Sequence, residues 1–332
     1  MDASHNWRVI TPRAEISATA IGANRWRISS RSLVGPGGPR SSCDTTFPRE
    51  LVERLLNTTA GEWICDTIAR HEDPTYIRHE LESQLFAYFP PSAYAGRRLL
   101  DFGCGSGAST MAMAEMLPET EVIGVELNGR RLSEANAILE HRALPNARFM
   151  RSPSGEQLPD GIGSFDFIML SAVFEHLLPA ERATVMPLLW SHMRPGAVMF
   201  VNQTPHRWHP YEHHSTRLWG INYLPDTLAD RVARRSGVRT RGRTWQAMLR
   251  GGIRGGTERS IRMALTGGNL QAAEILQPNQ HGLHDRADYW LSCTSPRQRT
   301  LKRLVARLFG ITDRLLGTVP TLNVSVALRK RQ

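Results

Sequence analysis

The sequence is poor in the features that mark secreted, zinc-knuckle and membrane-spanning chains. Its 332 residues include four cysteines, Cys43, Cys65, Cys104 and Cys293, and no two form a CxxC pair. That spacing excludes a disulfide framework and suits a reducing cytoplasm. No apolar run approaches the ~20 residues that a membrane-spanning helix needs. The opening, residues 1–15, lacks the continuous apolar stretch of a secretory leader. No internal repeat is visible. Lysine is nearly missing too: of the 41 basic residues, all but Lys302 and Lys330 are arginine. Apolar residues are not scarce. At 41% they supply a sizeable core, which excludes wholesale disorder, and the length allows one large domain or two small ones.

Positive charge is in excess and unevenly placed. The whole chain carries 41 − 31 = +10. Residues 231–332 hold 20 basic and 5 acidic residues, or +15, which leaves 21 and 26, or −5, for residues 1–230. A basic C-terminal third suits an anionic partner: a phosphorylated small molecule, nucleic acid or a membrane surface. A general arginine bias of the chain is the competing explanation.

Residues 1–60 show no sustained period and contain the loop-like run 34–42, so they are expected to form a poorly ordered arm. From Glu62 to Phe89 the pattern is helical, with Leu81, Leu85 and Phe89 on one face, until Pro90-Pro91 stops it. Strands and helices then alternate. Strands are predicted at 98–102, 122–126, 147–150, 164–171 and 197–202, and helices at 108–117, 130–143 and 179–193. That alternation predicts a doubly wound α/β fold, a parallel sheet covered on both faces. Past residue 203 the rhythm breaks. Helices are predicted near 224–235, 245–250, 257–265 and 299–316, and Leu322 to Leu328 alternates like a strand.

Between the first strand and its helix lies Gly103-Cys104-Gly105-Ser106-Gly107. Such a turn lets a ligand approach the backbone and offers helix N-terminal N–H groups to its oxygens. Together with Leu99-Leu100-Asp101-Phe102 it resembles the first motif of class I S-adenosylmethionine-dependent methyltransferases. Three later segments strengthen the resemblance in order and spacing: Glu126 at the end of the second strand, Ser164-Phe165-Asp166 leading to Glu175-His176-Leu177, and Arg194-Pro195-Gly196 turning into the fifth strand. The resemblance covers about residues 95–203. It implies a seven-stranded Rossmann-like sheet and S-adenosylmethionine as cofactor. It also implies roles. Gly103, Gly105 and Gly107 would meet the methionine and ribose portions, and Asp101 the amino acid end. Glu126 would take the ribose hydroxyls, Leu127 the adenine, and Ser171 would sit near the methionine. Ser154 stands where many relatives carry an aspartate to the adenine amino group. Cys104 reads as a small filler, and Glu175-His176 as shaping a helix start rather than as catalytic.

The acceptor is expected beyond the C-terminal strand ends. The segment after strand five is rich in histidine: His206, His209, His213 and His214, with Glu212 among them. Histidine titrates near neutral pH, so His209, His213 or His214 is the expected base or acceptor-orienting group. The spacing matches no standard zinc motif, and no metal is expected. The helix at 299–316 is basic and amphipathic. It either packs its leucines on its own domain or meets a membrane surface and presents a lipid-linked acceptor.

The expected organisation is therefore an arm (1–60), a methyltransferase core (61–236), a basic insertion capping the acceptor site (237–318) and a final strand returning to the sheet (319–332). The expected activity is O-methylation of a small or lipid-linked molecule, such as a sugar or secondary metabolite. RNA methylation is the alternative, argued from the basic third. Against it, no RNA-binding module is recognisable, and strand four leads into Ser171-Ala172-Val173-Phe174 rather than an N/D-P-P-Y/F run. A cofactor-binding protein without transfer activity is the third reading.

Overall fold

The computed structural model of the chain describes residues 6–34, 40–58, 61–294, 297 and 299–331. Residues 35–39 of the loop-like run, and residues 1–5, 59 and 60 of the expected arm, lie outside them.

The described part of the expected arm is not unstructured. β1 (Trp7–Ile10), β2 (Ala14–Gly22), β3 (Arg25–Ser32) and β4 (Ser42–Thr45) form an antiparallel sheet in chain order. Ala14, Ile16 and Ala18 alternate along β2 and are at most 1% exposed. Only Ile28 is buried on β3, among serines and arginines, so the two-residue period is too dilute to read from sequence. α1 (Arg49–Thr58), α2 (Ile64–Glu72) and α3 (Thr75–Tyr88) follow. The single helical stretch expected over 62–89 is thus two helices. Pro74 cannot sit in a helix interior; placed before Thr75, it opens α3.

The alternating region folds as β5 (Arg98–Phe102), α4 (Ala108–Met116), β6 (Glu121–Glu126), α5 (Gly129–Arg142), β7 (Ala147–Arg151), β8 (Phe165–Ser171), α6 (Pro179–Ser191) and β9 (Met193–Pro205). β8 reads Phe165-Asp166-Phe167-Ile168-Met169-Leu170, buried at every position, as a strand covered on both faces should be. Then come β10 (Tyr211–Glu212), β11 (Leu218–Trp219), α7 (Asp226–Ser236), α8 (Trp245–Arg250), α9 (Glu258–Leu265), β12 (Ala273–Ile275), α10 (Arg286–Cys293), α11 (Arg299–Leu316) and β13 (Asn323–Lys330).

The central sheet has seven strands in the order β12-β13-β9-β8-β5-β6-β7. β5 with β8, β8 with β9, and β6 with β7 are parallel; β13 runs antiparallel to both β9 and β12. This is the doubly wound α/β sheet. One expectation about it changes. The basic stretch 237–318 is not one insertion, because β12 lies inside it as an edge strand of the sheet. Three residues are too few to show a strand period.

The chain groups into two compact units, residues 1–81 with 104–151 and residues 82–103 with 152–332. In the first, Ile16, Ile28, Leu55, Ile64, Ile68 and Ile138 share one core. In the second, Tyr94, Phe167 and Phe200 pack ring on ring, with centroids 4.4 Å and 6.3 Å apart. Among the described residues no helix is long and apolar enough to cross a membrane.

Candidate functional site

The glycine turn is built to be narrow. Gly103, Gly105 and Gly107 all have positive φ, at 77°, 59° and 84°. A Cβ on Gly103 would lie 2.7 Å from Val173 Cγ2, and one on Gly107 would drive into the Phe149 ring. Only glycine satisfies both demands at these two positions. Gly105 donates its N–H to Glu126 Oε2 at 2.9 Å, and Asn128 donates to Oε1 at 2.7 Å. Each carboxylate oxygen of the half-buried Glu126 therefore keeps further acceptor capacity. Asn128 caps α5 through its side chain, which fixes the end of β6. Leu127 between them is 46% exposed.

His71 also reaches this turn, its Nε2 3.4 Å from Ser106 Oγ. Burial, with Arg142 and Arg70 adding to it, pushes the imidazole down to about 3. Nothing in the sequence pattern singles it out: it lies on α2, 35 residues upstream of Ser106.

Asp101 is buried near the end of β5, and Ser171 ends β8 opposite Asn202 of β9. Ala172 follows with φ +54°, an uncommon conformation for a residue with a side chain. The side-chain amide of Asn202 is buried with no hydrogen-bond partner among the described residues. Ser154 is engaged within its own loop, bonded to Gln157 Oε1 and to the Glu156 N–H, both at 3.3 Å.

The three candidate histidines do not share one setting. His209 closes a local turn, its Nδ1 2.9 Å from the Tyr211 carbonyl oxygen. His213 is half-buried, and burial pushes its imidazole down. His214 is pushed down by burial and by neighbouring His176, and its ring stands 5.4 Å from that of His176. Glu212 is no candidate ligand: its carboxylate accepts from Ser215 and Thr216 through both backbone and side chain, and from the His214 N–H.

His206, the fourth histidine, is 1% exposed. Its Nδ1 accepts from the Trp208 N–H, so Nε2 is the nitrogen that donates, 3.2 Å from Thr318 Oγ1 and 3.3 Å from Glu258 Oε2. Glu258 in turn takes Arg286 Nη1 at 2.9 Å, and Arg286 pairs with Asp313. This buried ionic cluster joins the start of the histidine-rich segment to α9, α10 and α11. His206 thus serves structure. The partners that show this lie 52 to 112 residues away.

His214 lines a cleft of about 430 Å³ with Ser215, Arg239, Arg241, Arg243 and Met248. Behind His214 lies Glu175, fully buried, its carboxyl raised by burial against the pull of His176. Glu175 and His176, read from sequence as shaping a helix start, sit in a single 3-10 turn, Phe174–His176, just before α6.

A methyltransferase-domain family model matches residues 99–196. Those residues form a domain of the class I S-adenosylmethionine-dependent methyltransferase family. The trans-aconitate 2-methyltransferase of Deinococcus radiodurans is 32% identical over 134 residues, 40% of this chain and 46% of that protein. The ubiquinone biosynthesis O-methyltransferase of Mesorhizobium japonicum is 30% identical over 136 residues, 38% of this chain and 49% of that one. An S-adenosylmethionine-bound amino pentose methyltransferase from Micromonospora echinaspora covers 40% of this chain and 49% of its own at 26% identity, with a TM-score of 0.29. The chain spans about half the length of the curated relatives it matches. S-adenosylmethionine is the family's cofactor, and the turn suits it: a Cβ would fill the space at Gly103 and Gly107, and Glu126 has free acceptor capacity.

Proposed function

We propose that this chain transfers the methyl group of S-adenosylmethionine to an oxygen of a small molecule bearing a carboxylate or phosphate. The observation that carries the reading is the cleft walled by Arg239, Arg241 and Arg243 with His214 at its side. Arginine forks pair with carboxylate and phosphate oxygens in a fixed orientation. The cofactor supplies a methyl on a sulfonium, and the protein's task is alignment and control of one proton.

In this reading Glu126 takes the ribose hydroxyls, and Leu127 packs on the adenine. Gly103, Gly105 and Gly107 let the backbone approach, and Asp101 and Ser171 serve the methionine end. Ser154, held in its own loop, contributes least. His214 is the histidine that meets the acceptor, ahead of His209 and His213, because it alone of the three lines the cleft. The stretches of 237–318 on either side of β12 form the cap of the acceptor site. The test is incubation with methyl-labelled cofactor and three panels: small carboxylates and phosphates, their uncharged analogues, and RNA. Label on the charged small molecules only is the expected result. Label on RNA, or on uncharged analogues equally, overturns it.

A second surface bears on the form of the acceptor. Leu301, Leu304, Leu308, Ile311 and Leu315 of α11 are each more than half exposed, so the helix does not pack this apolar face on its own domain. Arg303, Arg307 and Arg314 stand exposed on the same helix. Exposed leucines with arginine beside them suit an anionic membrane surface, which would present a lipid-linked acceptor. Sedimentation with vesicles should show pelleting that rises with anionic lipid; pelleting that ignores lipid charge, or none, removes this reading.

A further inference from the structure

Glu175 is 0% exposed, and its two oxygens are treated differently. Oε2 accepts from Thr204 Oγ1 at 3.0 Å, whereas Oε1 is buried with no hydrogen-bond partner among the described residues. Buried carboxylate oxygens are rarely left so. His176 Nε2 lies 3.8 Å from Oε1, beyond hydrogen-bond reach. The tautomer of His176 is set on its other side: Nδ1 lies 2.8 Å from the Arg250 carbonyl oxygen and must donate to it. Nε2 therefore faces Oε1 as a lone pair. His214 completes the group. One ligand atom from each of Glu175, His176 and His214 lies within 4.8 Å of the others.

The neighbouring chain is shaped around this space. Gly252 has φ +88°, and a Cβ there would lie 2.7 Å from His214 Cδ2 and 3.1 Å from Glu175 Cγ. Thr204 fixes the carboxylate, and the Arg250 carbonyl fixes one imidazole. Partners of this kind hold ligands in register around metal ions.

We propose that Glu175, His176 and His214 bind one divalent first-row transition metal ion. Two imidazoles and one carboxylate suit zinc, cobalt, manganese or ferrous iron; calcium and magnesium want oxygen alone. Three protein ligands leave coordination positions open. Since His214 lines the arginine cleft, an acceptor oxygen can fill one of them. His214 then acts as a ligand that places the acceptor, not as a free base. This role for the ion rests on the acceptor reading above; its binding does not.

Cobalt is the probe, because its visible absorption reports nitrogen ligation. The full chain, stripped by chelation, should take up one Co²⁺ per molecule in calorimetry and gain a visible band. His176→Ala and His214→Ala, both at partly exposed positions, should each weaken binding at least tenfold, with circular dichroism confirming their fold. No uptake by the wild type overturns the proposal, and so does equal affinity in both variants. The two readings fail separately. Bound cobalt with no methylated carboxylate or phosphate keeps the ion and removes the acceptor class. Acceptor methylation at full rate in excess chelator, with no cobalt uptake, does the reverse.

Discussion

Glu126→Gln offers the sharpest test of the cofactor site. In the structure each carboxylate oxygen already accepts one backbone N–H, from Gly105 at 2.9 Å and Asn128 at 2.7 Å. Glutamine keeps one acceptor oxygen and turns an NH₂ toward the other donor. One charge-assisted bond is lost, at about 1.5–3 kcal/mol, and the glycine turn loosens. If the same carboxylate also holds the ribose, a second bond of similar size goes with it. The combined loss of about 3–6 kcal/mol corresponds to roughly a 150- to 20,000-fold rise in Kd for S-adenosylhomocysteine. Loop damage alone would also weaken binding, so a second ligand is needed. Calorimetry with an analogue lacking the ribose hydroxyls closes a double-mutant cycle. Wild type should lose affinity for that analogue by about tenfold or more, and Glu126→Gln should hardly distinguish the two ligands. If wild type binds both equally, the carboxylate does not hold the ribose.

Four further outcomes follow from the geometry. Gly107→Ala combines a left-handed backbone with a collision against Phe149, so urea unfolding should show a loss of about 2–4 kcal/mol; an unchanged midpoint would mean that the turn is not rigid. Glu258 is pushed up by burial, yet His206, Arg286 and Thr318 outweigh that and hold it down at about 2, below its ordinary 4.5. The stability from this group is therefore full above about pH 4.5 and drains as pH falls toward 2. It is worth about 3 kcal/mol, and Glu258→Gln should lose that acid dependence while costing about 3–5 kcal/mol near neutrality in chemical denaturation. His71, held at about 3, acts in the same direction from its ordinary 6.5 downward, so the wild type should already be losing stability between pH 6.5 and 4.5; a flat profile there contradicts its burial. Arg239→Gln with Arg241→Gln should raise KM for a charged acceptor about tenfold or more without changing cofactor affinity, and the effect should shrink at high salt.

The alternating core was legible because it is locally specified. The largely apolar run 165–170 and the glycine turn each carry their structure within a few residues; β8 forms where the pattern puts it, whereas β9 contains the predicted 197–202 but runs longer, from Met193 to Pro205, and takes the expected turn 194–196 into the strand. The rest depends on distant partners. The N-terminal meander buries at most three side chains per strand and none on β1, β12 has three residues, and His71 meets Ser106 only through the fold. Among the histidines, residue type alone could not separate a buried structural His206 from a cleft-lining His214. What separates them is which carboxylate each one finds. His206 meets Glu258, whose other donors are Arg286 and Thr318, and the group is closed. His214 brings a ring nitrogen within 4.8 Å of a Glu175 oxygen without a hydrogen bond between them among the described residues, Oε1 is unpaired there, and the group is open.

That contrast is itself an argument about function. Both carboxylates are deeply buried on the same unit, so each must be compensated. Around Glu258 the chain supplies cation and hydroxyl from α10 and from the loop before β13, and the histidine-rich segment is anchored at its start. Around Glu175 the Thr204 hydroxyl serves Oε2 while Oε1 finds no hydrogen-bond partner among the described residues, a side chain is absent at Gly252, and His214 opens toward an arginine cleft. A chain that satisfies one buried acid completely and leaves the other half-served beside a cleft has concentrated its unmet valence where a ligand can reach it. Glu175→Gln should therefore cost far less stability than Glu258→Gln in the metal-free protein, despite equal burial, because it removes no ion pair and neutralises an unpaired oxygen. Side-by-side urea titrations in chelator decide the matter. Equal losses would mean that Glu175 is a structural acid like its counterpart, and the cleft would lose its claim to be the place where chemistry occurs.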